Sequence, residues 1–150
     1  IAGSSGILFG WAKPVPVNFG RLRNPKKDML WVAAAGPGAN LVMALGWALL
    51  LKFAVSMPGN AYSLPLAEMA RAGVNVNAVL MLLNLLPLPP LDGGRIAVSL
   101  LPHRAAWQFA KLEPYGFVIL LVLLFTGLLD FWLIPLMRIF LSLIKALFAF

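Results

Sequence analysis

Met29 to Leu51 runs for 23 residues without a charged side chain, and Ala72 to Leu91 runs for 20. At 1.5 Å of rise per residue, either run is long enough as helix to cross roughly 30 Å of hydrocarbon. The rest of the chain agrees: 61% of its residues are hydrophobic, 11% are charged, and the mean hydropathy is +0.90. That balance describes a protein whose solvent is the bilayer. Pro114 to Leu129 adds a third uncharged run of 16 residues before Asp130, and Phe131 to Met137 stays apolar beyond it. The expected fold is an all-α, multi-pass membrane protein with three to four transmembrane helices.

The formal charge of +7 does not point to nucleic acid, because the bases are not clustered with the polar and aromatic residues such a surface needs. They sort by loop. Lys13, Arg21, Arg23, Lys26 and Lys27 precede the first run, and Arg95, Arg104 and Lys111 lie between the second and third. Lys52 and Arg71 fall in the intervening loop, with Arg138 and Lys145 after the third run. Three crossings put eight bases on one side and four on the other, and the positive-inside rule sends the eight to the cytoplasm of a cell-membrane protein.

The chain has no cysteine, which removes disulfides, thiolate ligands and thiol nucleophiles. It begins at Ile1 within an apolar stretch that has no charged n-region, so no signal peptide is read there. The expectation is the C-terminal two-thirds or so of a longer protein, with residues 1–150 belonging to a single domain.

Pro14 and Pro16 forbid helix in Phe9-Gly-Trp-Ala-Lys-Pro-Val-Pro-Val-Asn18, so an extended segment is expected over about 9–18. Such a segment serves either as a surface connector or as an edge that pairs with an added peptide strand. Arg21 to Asp28 reads as a polar loop, with Asp28 as N-cap of the helix that follows. Helices are expected over about 29–55, 72–88, 93–101, 114–129 and 131–148, the last lying along the membrane or forming a short hairpin. In the first, Gly36, Asn40, Ala44 and Ala48 form a stripe of small residues where another helix can approach, and Asn40 either glues two helices or serves a site. In the second, Asn77 and Asn84 share a face. Pro87, Pro89 and Pro90 then break it and free backbone carbonyls, which lipid does not tolerate unless protein or a polar cavity surrounds them.

Asp92 follows the break at once. A carboxylate at membrane depth costs roughly 2.5 to 3.5 kcal/mol on insertion scales, so it needs a reason to be there. It can cap the helix that resumes after the break, pair with Arg95, bind a cation, or hold a metal. A catalytic zinc usually takes three protein ligands, often two histidines and a carboxylate. With His103 its single histidine, set in a basic interfacial turn, and with no His-Glu-x-x-His, this sequence supplies the carboxylate alone.

Three segments in order, Phe9-Gly-Trp-Ala-Lys-Pro-Val-Pro-Val-Asn18, Ala35-Gly-Pro-Gly-Ala-Asn40 and Asn84-Leu-Leu-Pro-Leu-Pro-Pro-Leu-Asp-Gly-Gly-Arg95, resemble the site-2 protease family of intramembrane zinc metalloproteases, in its compact prokaryotic form. The resemblance covers nearly the whole chain. It implies that Asp92 is a zinc ligand, that Asn40 supports the site by hydrogen bonding, and that Asn84 contacts substrate backbone. It also implies that Lys13, Pro14, Val15, Pro16, Val17 and Asn18 pair with an unwound transmembrane protein substrate. The family's His-Glu-x-x-His, with two ligands and the general base, is absent from this sequence and is expected upstream of it, so the fragment alone is expected to be inactive. The implied chemistry is hydrolysis of a peptide bond by water that zinc activates. Two other classes fit the residues without the resemblance: an ion- or proton-coupled transporter or channel subunit built on the broken helix, and a non-catalytic membrane scaffold.

Overall fold

The computed structural model describes residues 24–57 and 59–149, in which every regular element is helical. The extended segment expected over about 9–18 lies outside the described residues. The elements are α1 (Pro25–Val55), α2 (Ser63–Asn84), α3 (Asp92–Leu100), α4 (His103–Ala110), a 3-10 turn at Glu113–Tyr115, α5 (Gly116–Phe125) and α6 (Leu128–Phe148). Four helical stretches, Pro25–Val55, Ser63–Asn84, His103–Phe125 and Leu128–Phe148, are long and apolar enough to cross a membrane. Their outward faces carry large apolar side chains such as Trp31, Phe125 and Phe131, at 74%, 85% and 81% exposure, as lipid-facing surfaces do.

Helix α1 begins four residues earlier than the sequence suggests. Pro25 takes the first helical position, where its missing N–H is no loss. Asp28 is therefore not the N-cap but lies in the first turn, where its carboxylate accepts the Asn24 backbone N–H at 3.3 Å and faces the positive end of the helix dipole. The small residues of α1 let α2 come close: Ala48 and Ala54 are buried against α2, which contributes Ala67, Ala70 and Val74. Gly73 of α2 leaves the space that the ring of Trp47 occupies. Ile144 of α6 closes the same seam against Ala48 and Val74.

Other boundaries also move. Helix α2 starts at Ser63, not near 72, because Pro65 sits in its first turn, where proline is tolerated, and Arg71 and Glu68 pair on its exposed face at 2.6 Å. It ends at Asn84, not 88, since Leu86 turns back to the carbonyl of Leu83 at 3.0 Å. His103 opens a helix, α4, where a turn was expected. The third uncharged run is not one helix: α5 ends at Phe125, Gly127 adopts a left-handed φ of 74°, and a new helix starts at Leu128. That last helix is continuous, not a hairpin, and carries both Arg138 and Lys145 inside it.

Helix α3 runs back along α1 in the opposite direction. At its start Asp92 lies against Gly36, and just past its end the carbonyl of Leu101 accepts a hydrogen bond from the Lys26 ammonium at 2.9 Å. Lys26 stands at the start of α1, and Gly36 is on the order of 15 Å further along it at 1.5 Å per residue. The break after α2 thus lets a short helix hang a carboxylate well inside the layer that α1 crosses.

Candidate functional site

The segment from Leu85 to Leu91 folds on itself. The Leu86 carbonyl accepts the Leu88 N–H at 2.7 Å, and the Leu88 carbonyl accepts the Leu91 N–H at 2.9 Å. The carbonyl of Leu82, which loses its usual partner when Leu86 turns to Leu83, accepts the indole N–H of Trp132 from α6 at 3.2 Å. Much of the backbone freed by the prolines is therefore paired by tight turns and one tryptophan, where a surrounding polar cavity was expected. A cavity of about 280 Å³ does flank the break, with Pro89, Pro90, Arg95 and Glu113 in its wall.

Glycines set the closeness of this assembly. A Cβ on Gly93 would fall on the carbonyls of Leu85 and Leu86, one on Gly94 would meet Leu88 and Pro89, and one on Gly116 would overlap the Pro89 carbonyl. The backbone just after Asn84 thereby packs directly on the backbone just after Asp92. This close approach is the reason the sequence needs Gly-Gly immediately behind the acid.

Asp92 is half-buried in the first turn of α3, whose N-cap position is Leu91. No side chain caps that helix, so the capping role available to Asp92 is not used. Nor does it form a contact ion pair with Arg95; among the described residues the ion pair is Arg71 with Glu68. The carboxylate instead points at α1, where a side chain on Gly36 would collide with its Oδ2. Among the described residues it makes no hydrogen bond.

Asn40 lies one turn beyond Gly36 on α1, half-buried, and its amide bonds no neighbouring helix among the described residues. Asn84, also half-buried, closes α2 with its amide equally uncommitted. Asn77 behaves differently: it is buried and donates to the carbonyl of Gly73 in its own helix at 2.8 Å. The structure thus brings Asp92 and the ends of the Asn84 loop together, with Asn40 on the adjoining part of α1. Lys13 to Asn18 lie outside the described residues. Trp132 and Gly116, which hold the loop, escape sequence reasoning, since a tryptophan and a glycine in apolar runs carry no positional signal.

As a metal site, the arrangement fits at one position. Asp92 offers an oxygen ligand of the kind zinc accepts, but no group of three or more His, Cys, Asp or Glu side chains is gathered among the described residues. His103 is exposed at the start of α4, by the Lys26 end of α1, and takes no part.

A multi-pass helical membrane protein with an uncapped, unpaired acid behind a proline break is a narrow class. Residues 55–127 match peptidase family M50. The chain is 39% identical to "Putative zinc metalloprotease YwhC" of Bacillus subtilis over 134 residues, covering 87% of this chain and 61% of that protein. It is 36% identical to "Putative zinc metalloprotease Rip2" of Mycolicibacterium smegmatis over 102 residues, covering 67% of this chain and 38% of that protein. It spans less than two thirds of the length of either relative. No solved structure matches it at a significant level. These matches support the site-2 proteases, peptidase family M50, as the family that the chain resembles.

Proposed function

We propose that the chain is part of a zinc-dependent intramembrane endopeptidase that cuts peptide bonds of transmembrane protein substrates. The observation that carries this reading is the state of Asp92. It is a carboxylate held at depth beside a glycine, neither capping its helix nor in a contact ion pair. A purely structural acid would do one or the other, since an uncompensated charge there is expensive.

In this reading Asp92 is one zinc ligand, and two histidines from a part of the protein outside this sequence complete the set. Zinc, when bound, supplies Lewis acidity that polarises a peptide carbonyl and makes water acidic enough to react at neutral pH. The remaining work belongs to the chain. Gly36 admits the carboxylate to the face of α1, and Asn40 orients the groups at that face through hydrogen bonds. The uncommitted amide of Asn84 holds substrate backbone, which must leave its own helix to expose a carbonyl. Lys13 to Asn18 offer the unwound stretch an edge to pair with. In this reading the mouth faces the cytoplasmic side of the cell membrane, which the excess of basic residues before the first span favours.

The test is Asp92→Ala in the complete protein, with zinc measured by elemental analysis and cleavage measured on a transmembrane reporter. Both are expected to fall by at least about 100-fold, the upper range for losing a group that sets metal affinity. Unaltered zinc content together with undiminished cleavage would defeat the assignment.

A further inference from the structure

At the end of the molecule where α1 starts and α3 finishes, a cavity of about 550 Å³ opens between α1, α3 and α4. Its rim is basic: Lys26 of α1 and His103 and Arg104 of α4 line it, and among the described residues no acidic side chain does. Its wall is apolar, with Met29, Val98 and Trp107. Arg104 is exposed and has no hydrogen-bonding or ion-pairing partner among the described residues. Lys26 spends one of its three ammonium donors on the Leu101 carbonyl, leaving two.

The surrounding chemistry belongs to a membrane interface. Lys111, two turns below His103 on the same helical stretch, lies with its Nζ 3.5 Å from the centroid of the Trp107 ring. Helical side chains lean toward the N-terminus, so this stack draws the ammonium up toward the basic rim. Trp107 is 63% exposed, as an interfacial aromatic is when its ring meets lipid. A positive rim over an apolar wall matches one ligand chemistry, a phosphodiester monoanion attached to acyl chains.

We propose that this cavity is a binding site for an anionic glycerophospholipid of the leaflet in which α1 begins. The headgroup phosphate sits between Lys26 and Arg104, with Lys111 within reach, and an acyl chain lies along Met29, Val98 and Trp107. Basic pockets between transmembrane helices recognise lipid headgroups in this way. Because the same cavity touches the start of α1 and the end of α3, the lipid would clasp the two elements whose pairing fixes Asp92.

The complete protein is purified in detergent and examined by native mass spectrometry with phosphatidylglycerol, phosphatidylcholine or inorganic phosphate added. The wild type is expected to retain phosphatidylglycerol over phosphatidylcholine by on the order of ten-fold, and Arg104→Gln with Lys111→Gln to reduce that preference to about two-fold or less. Arg104 and Lys111 are exposed, so the double variant should fold, and near-native helix content by circular dichroism checks that it does. Arg71→Gln, at the opposite end of α1 and α2, is expected to leave the preference intact. Equal retention of the two lipids by the wild type overturns the proposal. So does a preference that survives the double variant, or one that Arg71→Gln abolishes equally. Displacement of phosphatidylglycerol by millimolar inorganic phosphate would show a simple anion site and also overturn it.

Discussion

The Asp92 carboxylate occupies the space that a side chain on Gly36 would require. Gly38, two residues on, faces open space. The two glycines of one Gly-Pro-Gly motif therefore answer to different constraints. Gly36→Ala in the complete protein is expected to push Asp92 aside and lower cleavage by about 100-fold, the loss that a displacement near 1 Å produces. Gly38→Ala should leave cleavage within about two-fold and add up to about 1 kcal/mol of stability through helix propensity. Parallel cleavage assays and thermal unfolding of the two variants check the pair; equal losses would show that Gly36 has no special relation to the acid.

The Pro89 carbonyl rests where a side chain on Gly116 would go. Because the obstructing atom is backbone, it cannot rotate away. Gly116→Ala should destabilise the protein by about 1–3 kcal/mol, the range for overpacking, and should reduce cleavage beyond what its unfolded fraction explains. Activity per folded molecule, read alongside unfolding in detergent, separates the two effects.

Trp47 and Gly73 meet across the α1 and α2 seam. Here the obstacle is a side chain, so a second substitution can relieve it. Gly73→Ala alone is expected to cost about 1–3 kcal/mol, while Trp47→Leu combined with Gly73→Ala should cost less than the two single changes added together, by about 0.5–3 kcal/mol. A double-mutant cycle by thermal unfolding measures that difference, and strict additivity would contradict the contact.

Trp132 gives its indole N–H to the Leu82 carbonyl. Trp132→Phe keeps most of the apolar packing against Leu86, Leu88 and Leu129 and removes the donor. The expected loss is about 0.6–2 kcal/mol, the range for an interhelical hydrogen bond in a membrane protein. Faster hydrogen exchange at the end of α2 should accompany it. An unchanged unfolding temperature would mean that the carbonyl is satisfied without the indole.

Much of this was legible in the residues, and for stated reasons. The long uncharged runs announced the spans, the prolines announced the end of α2, and Asp92 directly after them marked the candidate site. What was hidden depended on partners. The start of α2 was obscured because Pro65, Glu68 and Arg71 read as polar punctuation, although proline is harmless in a first turn and the two charges pair with each other outside. Helix α4 was obscured because Pro102-His-Arg104 has the composition of a turn, while the residue after a proline is free to begin a helix. The stripe from Gly36 to Ala48 was visible as small residues, yet it divides its work: Ala48 receives α2 and Gly36 receives Asp92. Periodicity reports a face without saying who will press on it.

Helix α3 is tethered at both ends to α1, by Lys26 at the rim and by Gly36 below. The acid therefore hangs from the surface like a plumb bob on a line of nine residues. On the proposed function, an entering polypeptide would meet it at one fixed drop, whatever its own side chains. Adding or removing one residue of that line would turn the acid by about 100° and point it away from the groove.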